Sequence, residues 1–172
     1  RHGLFSISHE RIYQYVLADK KAGGTLYTHL RQGRKRYRRR YGHGRRTSPI
    51  KNRVFIDLRP SMVESKSRIG NWEIETIVGR QHHKAIVTIV DRASKKTLIG
   101  QVGTKHAGYV TDQTLQLLTT HPVATITADN GTEFAYHERI TAQLGATVYF
   151  AHPYHSWERG LNEHTNGLIR QY

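Results

Sequence analysis

Three acidic residues stand where the sequence could build a metal site. Asp129 follows an apolar, β-branched run that ends at Ala128, and Glu163 lies early in a later polar, helix-compatible run. Glu75 lies in an earlier strand-like run, Trp-Glu-Ile-Glu-Thr-Ile-Val. Mg²⁺ prefers oxygen ligands, and two such ions about 3.5–4 Å apart can bind both the attacking and the leaving oxygen of a phosphodiester. Carboxylates on one sheet and its following helix therefore indicate divalent-metal chemistry.

Each of these acids also has a purely structural interpretation. Asp129 precedes Asn-Gly, which is common in simple turns, and Glu163 fits an exposed helix face. Asp91 competes as the site carboxylate because it also ends a strand-like run. Of Glu73 and Glu75, we expect one to face away from the site. The strong positive charge of the chain, described next, favours the metal interpretation over the structural one.

The chain of 172 residues carries a formal charge of +14 and a sequence pI of about 10.3, which predicts a polyanionic partner. No apolar run approaches the roughly 18 residues that a membrane span needs, so nucleic acid is favoured over a membrane surface. The absence of cysteine excludes disulfides and thiolate metal sites and fits a cytosolic protein. The chain begins at Arg1 and ends in mid-pattern at Tyr172, so we expect a fragment of a longer protein.

Residues 31–53 form a basic run that no acid interrupts. Like charges at this density repel, so the segment is expected to be extended by itself. A solvated linker is the simpler interpretation, but phosphate contacts would use the cations directly. We therefore predict that this run binds DNA through Arg34, Lys35, Arg36, Arg38, Arg39, Arg40, Arg45 and Arg46.

The pattern divides the chain into three parts. Residues 1–30 contain a helical segment, capped by Ser8, that is either a packing appendage or the tail of an upstream DNA-binding region. Residues 31–69 are predicted to be a basic linker and loop, and residues 70–172 a C-terminally truncated catalytic core. Its predicted strands cover 71–79, 84–91, 96–102, 123–128 and 146–151, and its predicted helices 108–120, 132–144 and 158–172. This order predicts an α/β domain with a mixed five-stranded sheet and helices on both faces.

Three motifs resemble one family. They are Trp72 to Glu75, the Asp129 to Gly131 turn, and the pattern Trp-x-Arg-Gly-x-Asn-Glu-x-x-Asn-Gly-Leu-x-Arg from Trp157 to Arg170. The chain is similar in these motifs to DDE transposases and retroviral-type integrases, and within them to bacterial insertion-sequence transposases of the IS-thirty type. The resemblance covers nearly the whole chain, and its last motif is long and specific.

The resemblance implies an RNase H-like fold and a two-ion Mg²⁺ site, with Mn²⁺ as a substitute, held by Glu75, Asp129 and Glu163. It also implies cleavage of insertion-sequence ends, strand transfer into target DNA, and a homo-oligomer that bridges two DNA ends. The terminal repeats and the target DNA would be its partners. A bacterial cytoplasmic protein associated with the nucleoid is expected, with the family's helix-turn-helix upstream of this segment.

One position departs from the family pattern. The family's first Asp is Glu75 here, which reaches about 1.5 Å further, although productive geometry tolerates about 0.5 Å. A misplacement of about 1 Å can cost about 10²-fold in rate. Two interpretations therefore follow from Glu75. The chain is an impaired transposase, or it is an inactive transposase-derived protein that acts by binding DNA. A nuclease or resolvase would share the metal site.

The last motif supplies further candidates for DNA contact. Asn162 and Asn166 are four positions apart, so they share a helix face with Glu163 between them, where they orient a metal ligand or contact DNA. Arg159 and Arg170 are predicted phosphate contacts because a guanidinium offers a bidentate fork. Trp157 stacks on an unpaired base or fills the core. Glu158 is assigned to the helix start, where the dipole favours an acid.

Overall fold

The computed structural model describes residues 7–30, 50–79, 84–153 and 155–171. The chain forms two compact units, Arg1–Gly44 and Arg45–Tyr172. The eight predicted DNA-binding residues between Arg34 and Arg46 lie outside the described residues, so their role stays a prediction.

The first unit contains one α-helix, α1 (His9–Lys21), within its described residues. Ser8 caps it, because its Oγ accepts a hydrogen bond from the Arg11 amide at 3.3 Å. The chain turns at Gly23, whose φ of 86° suits glycine, and a short 3₁₀ turn follows at Leu26–His29. Val16 is the buried residue of α1, and its other apolar side chains are largely exposed.

The second unit is built on a six-stranded sheet in the order β1-β6-β5-β2-β3-β4. Strands β2, β3 and β4 form an antiparallel meander, whereas β5, β6 and β1 continue from β2 in parallel. The strands are β1 (Val54–Phe55), β2 (Asn71–Val78), β3 (Ala85–Asp91), β4 (Thr97–Val102), β5 (Thr125–Ala128) and β6 (Thr147–Phe150). The predicted RNase H-like mixed sheet is therefore confirmed.

The prediction of five strands was one short. The sixth, β1, lies in the segment 54–69 that the sequence predicts as a loop. It consists of two residues at the sheet edge that pair with Tyr149 and Phe150, too short to show an alternating pattern of its own. Its pairing is decided by the neighbouring strand rather than by its own composition.

Three helices pack on this sheet: α2 (Ala107–Leu118), α3 (His137–Leu144) and α4 (Gly160–Ile169). The helix predicted from residue 132 begins instead with a 3₁₀ turn at Thr132–Phe134, and the one predicted from 158 follows a 3₁₀ turn at Ser156–Arg159. Gly145 ends α3 in the left-handed conformation, with φ of 65°, as the sequence predicts.

One face of β2 meets α4, and the other meets the 3₁₀ turn before α3. Glu73 and Glu75 face α4, where they contact Asn162 and Asn166, whereas Thr76 contacts Glu133 on the opposite face. The expectation that Glu73 and Glu75 point to opposite faces was wrong, because strand residues two positions apart share a face. The apolar core includes Ile74, Val87, Ile89, Val110, Leu118, Ile126, Phe134, Ile140 and Phe150. None of the helices within the described ranges has the length and apolar character needed to cross a membrane.

Candidate metal centre

The sheet register brings Glu75 beside Asp129. Strands β2 and β5 run in parallel with Glu73 opposite Thr127, so two further residues along each chain reach Glu75 and Asp129. Both side chains stay partly open to solvent, with relative exposures of 22% for Glu75 and 33% for Asp129. The register therefore places Glu75, in the middle of β2, next to Asp129, which directly follows the carboxyl end of β5.

The environment of Glu75 acts against its ionisation. Burial raises the pKa of the Glu75 carboxyl, and the charge of Asp129 raises it further. The positive charges of Arg159 and Arg170 oppose this shift, as does a 2.9 Å hydrogen bond that Asn166 Nδ2 donates to Glu75 Oε2. The net shift is upward, so a further cation at this point would be favoured.

Arg159 spans the two carboxylates. Its Nη1 lies 3.6 Å from Glu75 Oε2 and its Nη2 lies 3.9 Å from Asp129 Oδ2. The side chain has a relative exposure of 12%. The sequence predicts Arg159 as a phosphate contact, and the structure places it on the acids of the site, at the end of the 3₁₀ turn before α4.

The turn after Asp129 is held on several sides. Asp129 Oδ1 accepts a 2.8 Å hydrogen bond from the Gly131 amide, and the Asn130 side chain bonds the Ala151 carbonyl at the end of β6. Arg53 donates to Asn130 Oδ1, which anchors the last residue of the basic run beside the site. A Cβ on Gly131 would collide with the Glu133 carboxylate, so glycine leaves room for that buried acid.

Two asparagines fasten α4 over the acids. Asn162 is fully buried, its amide N–H donates to Glu73 Oε2 at 2.9 Å, and its Nδ2 donates to the Glu73 carbonyl at 3.0 Å. Asn166 is buried one turn later and orients Glu75. Asn162 thus holds α4 against β2 in this structure. Its predicted contact with DNA stays a prediction.

Glu163 is not brought to the other two acids. It is exposed on α4, although it lies on the helical stripe of Arg159, Asn166 and Arg170. In the described part of the chain, no three His, Cys, Asp or Glu side chains form a group that could hold a metal ion. The structure therefore assembles two members of the predicted trio.

The donor set nevertheless fits a hard divalent cation. Glu75 and Asp129 supply carboxylate oxygens, which Mg²⁺ and Mn²⁺ accept as ligands. Asn166 Oδ1 is a buried oxygen without a hydrogen-bond partner, on the side chain that already bonds Glu75. A cation between the acids would offset their mutual repulsion.

A second acidic cluster lies beside the site and was not predicted. Glu73 is buried and pairs with Arg92 at 3.2 Å, while Glu64 joins Arg92 to Arg59. An acid inside an apolar strand, Glu73, was the only sign of this cluster in the sequence. Its arginine partner lies in a distant segment, so the sequence did not indicate the pairing. Asp91, the rival candidate, is structural, because its carboxylate accepts from the amides of Gly70, Ala93 and Ser94.

Trp157 lies just before α4, and Arg170 lies at the other end of this helix. Trp157 has a relative exposure of 70% and its ring lies 4.4 Å from that of His155, centroid to centroid. It borders a cavity of about 640 Å³ that Arg59, Glu73 and Arg92 also line. Trp157 therefore does not fill the core. Arg170 is exposed at the end of α4, and its charge acts on Glu75.

Comparison with known proteins confirms the predicted resemblance. The chain is 46% identical over 172 residues to the transposase for insertion sequence element IS4351 of Bacteroides fragilis, covering 99% of this chain and 53% of that protein. It is 34% identical over 183 residues to a probable transposase for the insertion-like sequence element IS1161 of Streptococcus salivarius, covering 99% of this chain and 53% of that protein. It is 37% identical over 147 residues to the transposase InsI for element IS30A of Escherichia coli K12, covering 83% of this chain and 37% of that protein.

The chain spans about half the length of the first two of these relatives. No protein-family model matches it. Among solved structures, the catalytic core domain of BIV integrase aligns with a TM-score of 0.48 and 23% identity, over 56% of this chain and 64% of that one.

Proposed function

We propose that this chain is the catalytic region of an insertion-sequence transposase, which cuts DNA at the ends of its element and joins those ends to target DNA. The observation that carries the proposal is the juxtaposition of Glu75 and Asp129 beneath α4. The net charge of +14 and the similarity to transposases over nearly the whole chain support it.

Glu75 and Asp129 would hold divalent metal, Mg²⁺ or Mn²⁺, and Glu163 would complete the set for two ions. Metal bound there would activate a water or a 3′-hydroxyl and offset the charge that develops on the phosphodiester. Glu163 is exposed in this structure, so it would join the other two acids only after a change in α4 or in its own rotamer.

The remaining residues would position DNA. Arg53 lies beside the Asp129 turn and belongs to the basic run, so DNA held by that run would be led to the carboxylates. Arg170 would contact a phosphate at the other end of α4, and exposed Trp157 would stack on an unpaired base near the cut. Most of this affinity would be independent of DNA sequence. We expect the active form to be a homo-oligomer that holds two DNA ends.

Glu75 is the residue that sets the expected activity. Its additional methylene carries the carboxylate further than an Asp would, while its hydrogen bond from Asn166 fixes one oxygen. Metal binding would be largely retained, and the placement of the reacting phosphate would be impaired. The Glu75→Asp variant is therefore expected to cut DNA faster than the unmodified protein.

The test is Mn²⁺-dependent cleavage of labelled DNA that carries the element's terminal repeats. The unmodified protein, Glu75→Asp and Asp129→Asn are compared at equal DNA occupancy. Nicking that rises in Glu75→Asp, on the order of 10²-fold at most, and vanishes in Asp129→Asn supports the proposal. Measurable cleavage by the unmodified protein that Asp129→Asn leaves equal would show that the acids are not the site.

A second candidate function rests on Glu75 itself. If Glu75 prevents catalysis altogether, the chain acts as a DNA-binding protein that occupies insertion-sequence ends. DNA binding and no detectable cleavage by the unmodified protein, with cleavage appearing only in Glu75→Asp, would favour this candidate.

A further inference from the structure

Arg159 stands where a cation between the two acids would stand. Its guanidinium reaches Glu75 through one nitrogen and Asp129 through another, so a single positive charge is shared by both carboxylates. The side chain is largely buried, with a relative exposure of 12%, so solvent screens this charge only in part. In the structure, the repulsion between the acids is therefore offset by a residue of the chain.

The contacts of Arg159 are weak in geometry. Distances of 3.6 and 3.9 Å lie beyond the usual hydrogen-bond range, so the guanidinium is held by charge rather than by directed bonds. Its Nε and Nη1 are buried without a hydrogen-bond partner. Buried donors that lack acceptors are unfavourable, and a guanidinium in this state gains by moving to a partner that can accept from its fork.

We propose that Arg159 is the resident counter-cation of the Glu75–Asp129 pair, and that a divalent metal ion displaces it and frees it to bind a DNA phosphate. This inference rests on the proposed function, because it takes the two acids as metal ligands. It deepens that function by coupling metal loading to DNA binding through one side chain.

Arg159 also lies one turn before the third predicted acid. Glu163 is exposed on α4, four residues after Arg159 and three before Asn166. Once Arg159 leaves the two acids, Glu163 would be the next carboxylate along the helix to join them. The charge of Arg170 also lowers the pKa of Glu75, but Arg170 forms no ion pair with it in the described structure. Arg170 is therefore the control for Arg159: a nearby positive charge that does not bridge the two acids.

The first test measures metal binding without catalysis, by the decrease of the free Mn²⁺ signal in electron paramagnetic resonance. Arg159→Gln removes the competing charge and should bind Mn²⁺ about 5- to 10-fold more tightly than the unmodified protein. Arg170→Gln should change the affinity less. Arg139→Gln, which removes only a surface ion pair with Asp112, should leave it unchanged. Unchanged or weaker Mn²⁺ binding by folded Arg159→Gln would overturn the inference.

Asp129→Asn separates this failure from failure of the proposed function. If Asp129→Asn abolishes Mn²⁺ binding while Arg159→Gln leaves it unchanged, the acids bind metal and only the role of Arg159 is wrong. If Asp129→Asn binds Mn²⁺ as the unmodified protein does, the metal centre itself is wrong.

A second measurement uses the unmodified protein, so it does not depend on whether a variant folds. The Nε–H signal of Arg159 in the ¹⁵N spectrum of the unmodified protein is followed during addition of Mg²⁺, then of a short DNA duplex. We expect Mg²⁺ to shift the signal and to broaden it through faster exchange with water as the side chain leaves the acids, and DNA to shift it again. A signal that Mg²⁺ leaves in place, under conditions where Mn²⁺ binds, would contradict displacement.

Discussion

Glu73 and Glu75 share one face of β2, but they lie in opposite environments. Glu73 is 2% exposed and its charge is matched by Arg92 at 3.2 Å. Glu75 is partly open, faces Asp129 and has a raised pKa. One acid thus secures the strand to its surroundings, and the other is held next to a like charge, which is the less favourable and more reactive arrangement.

Neutralising these two acids should therefore have different effects on stability. Glu73→Gln leaves buried Arg92 without its buried partner and should lower the free energy of unfolding by about 3 kcal/mol. Glu75→Gln removes repulsion with Asp129 and should leave stability unchanged or slightly raised at pH 7. Urea unfolding of both variants measures this. A destabilisation by Glu75→Gln as large as that by Glu73→Gln would show that Glu75 is a structural acid.

The effect of Glu75→Gln should also depend on pH. Because the folded-state pKa of Glu75 is raised, its ionisation costs stability once the pH exceeds the unfolded-state value. Below that value the carboxyl is protonated in both states and the cost disappears. The advantage of Glu75→Gln should therefore be present at pH 7 and absent at pH 4. An equal advantage at both values would point to packing rather than charge.

The sequence predicted this pairing of acids because two strong local signals coincide. Asp129 ends a β-branched run before Asn-Gly, and Glu75 lies in a run that is apolar enough to be the central strand. Both signals are local, and parallel pairing of the central strands then brings the residues together. The helix α4 was predicted from the long motif that begins at Trp157, which is also a local signal.

The interactions between distant segments could not be predicted in this way. Arg159 was assigned to phosphate because its type suits one, and only the folded chain shows that it bridges Glu75 and Asp129. The network of Glu73 with Arg92 joins β2 to the residue that follows β3. Charged residues that pair across distant segments leave no periodic pattern in the sequence. The sequence therefore shows which residues are charged but not which of them pair.

The two asparagines of α4 should separate stability from metal binding. Asn162→Ala removes the bonds to the Glu73 carbonyl and the Thr88 carbonyl, so it should cost about 2 kcal/mol of stability. Asn166→Ala frees Glu75 Oε2 and should weaken Mn²⁺ binding with a smaller cost in stability. Thermal unfolding and Mn²⁺ titration of both variants test this. If Asn166→Ala binds Mn²⁺ normally, Asn166 does not orient a ligand.

His152 should make the segment before α4 sensitive to pH. Its Nδ1 meets Glu158 Oε1 at 3.0 Å and its Nε2 meets Asp57 Oδ2 at 2.9 Å, and these acids raise its pKa. A raised pKa stabilises the folded state below the unfolded value of about 6.5, and this contribution disappears as the pH rises through the folded value.

Urea unfolding between about pH 5.5 and 8.5, a range that brackets the ordinary histidine pKa, should therefore show a decline for the unmodified protein that is reduced in His152→Gln. Glu158→Gln is the matched variant, because it removes the partner whose hydrogen bond contributes most to the raised pKa. The same decline in all three proteins would assign the pH dependence to other groups.

The basic run should supply salt-sensitive affinity that does not depend on the acids. Changing Arg36, Arg38, Arg39 and Arg40 to Gln should flatten the plot of log affinity against log salt by about 0.9 for each phosphate of duplex DNA that is no longer neutralised. Asp129→Ala should leave that slope and the affinity nearly unchanged, because it removes no cation from the run. Fluorescence anisotropy with a labelled duplex at several salt concentrations measures both. An unchanged slope in the Gln variant would make the part of the run before Arg53 a solvated linker and leave DNA binding to Arg53, Arg159 and Arg170.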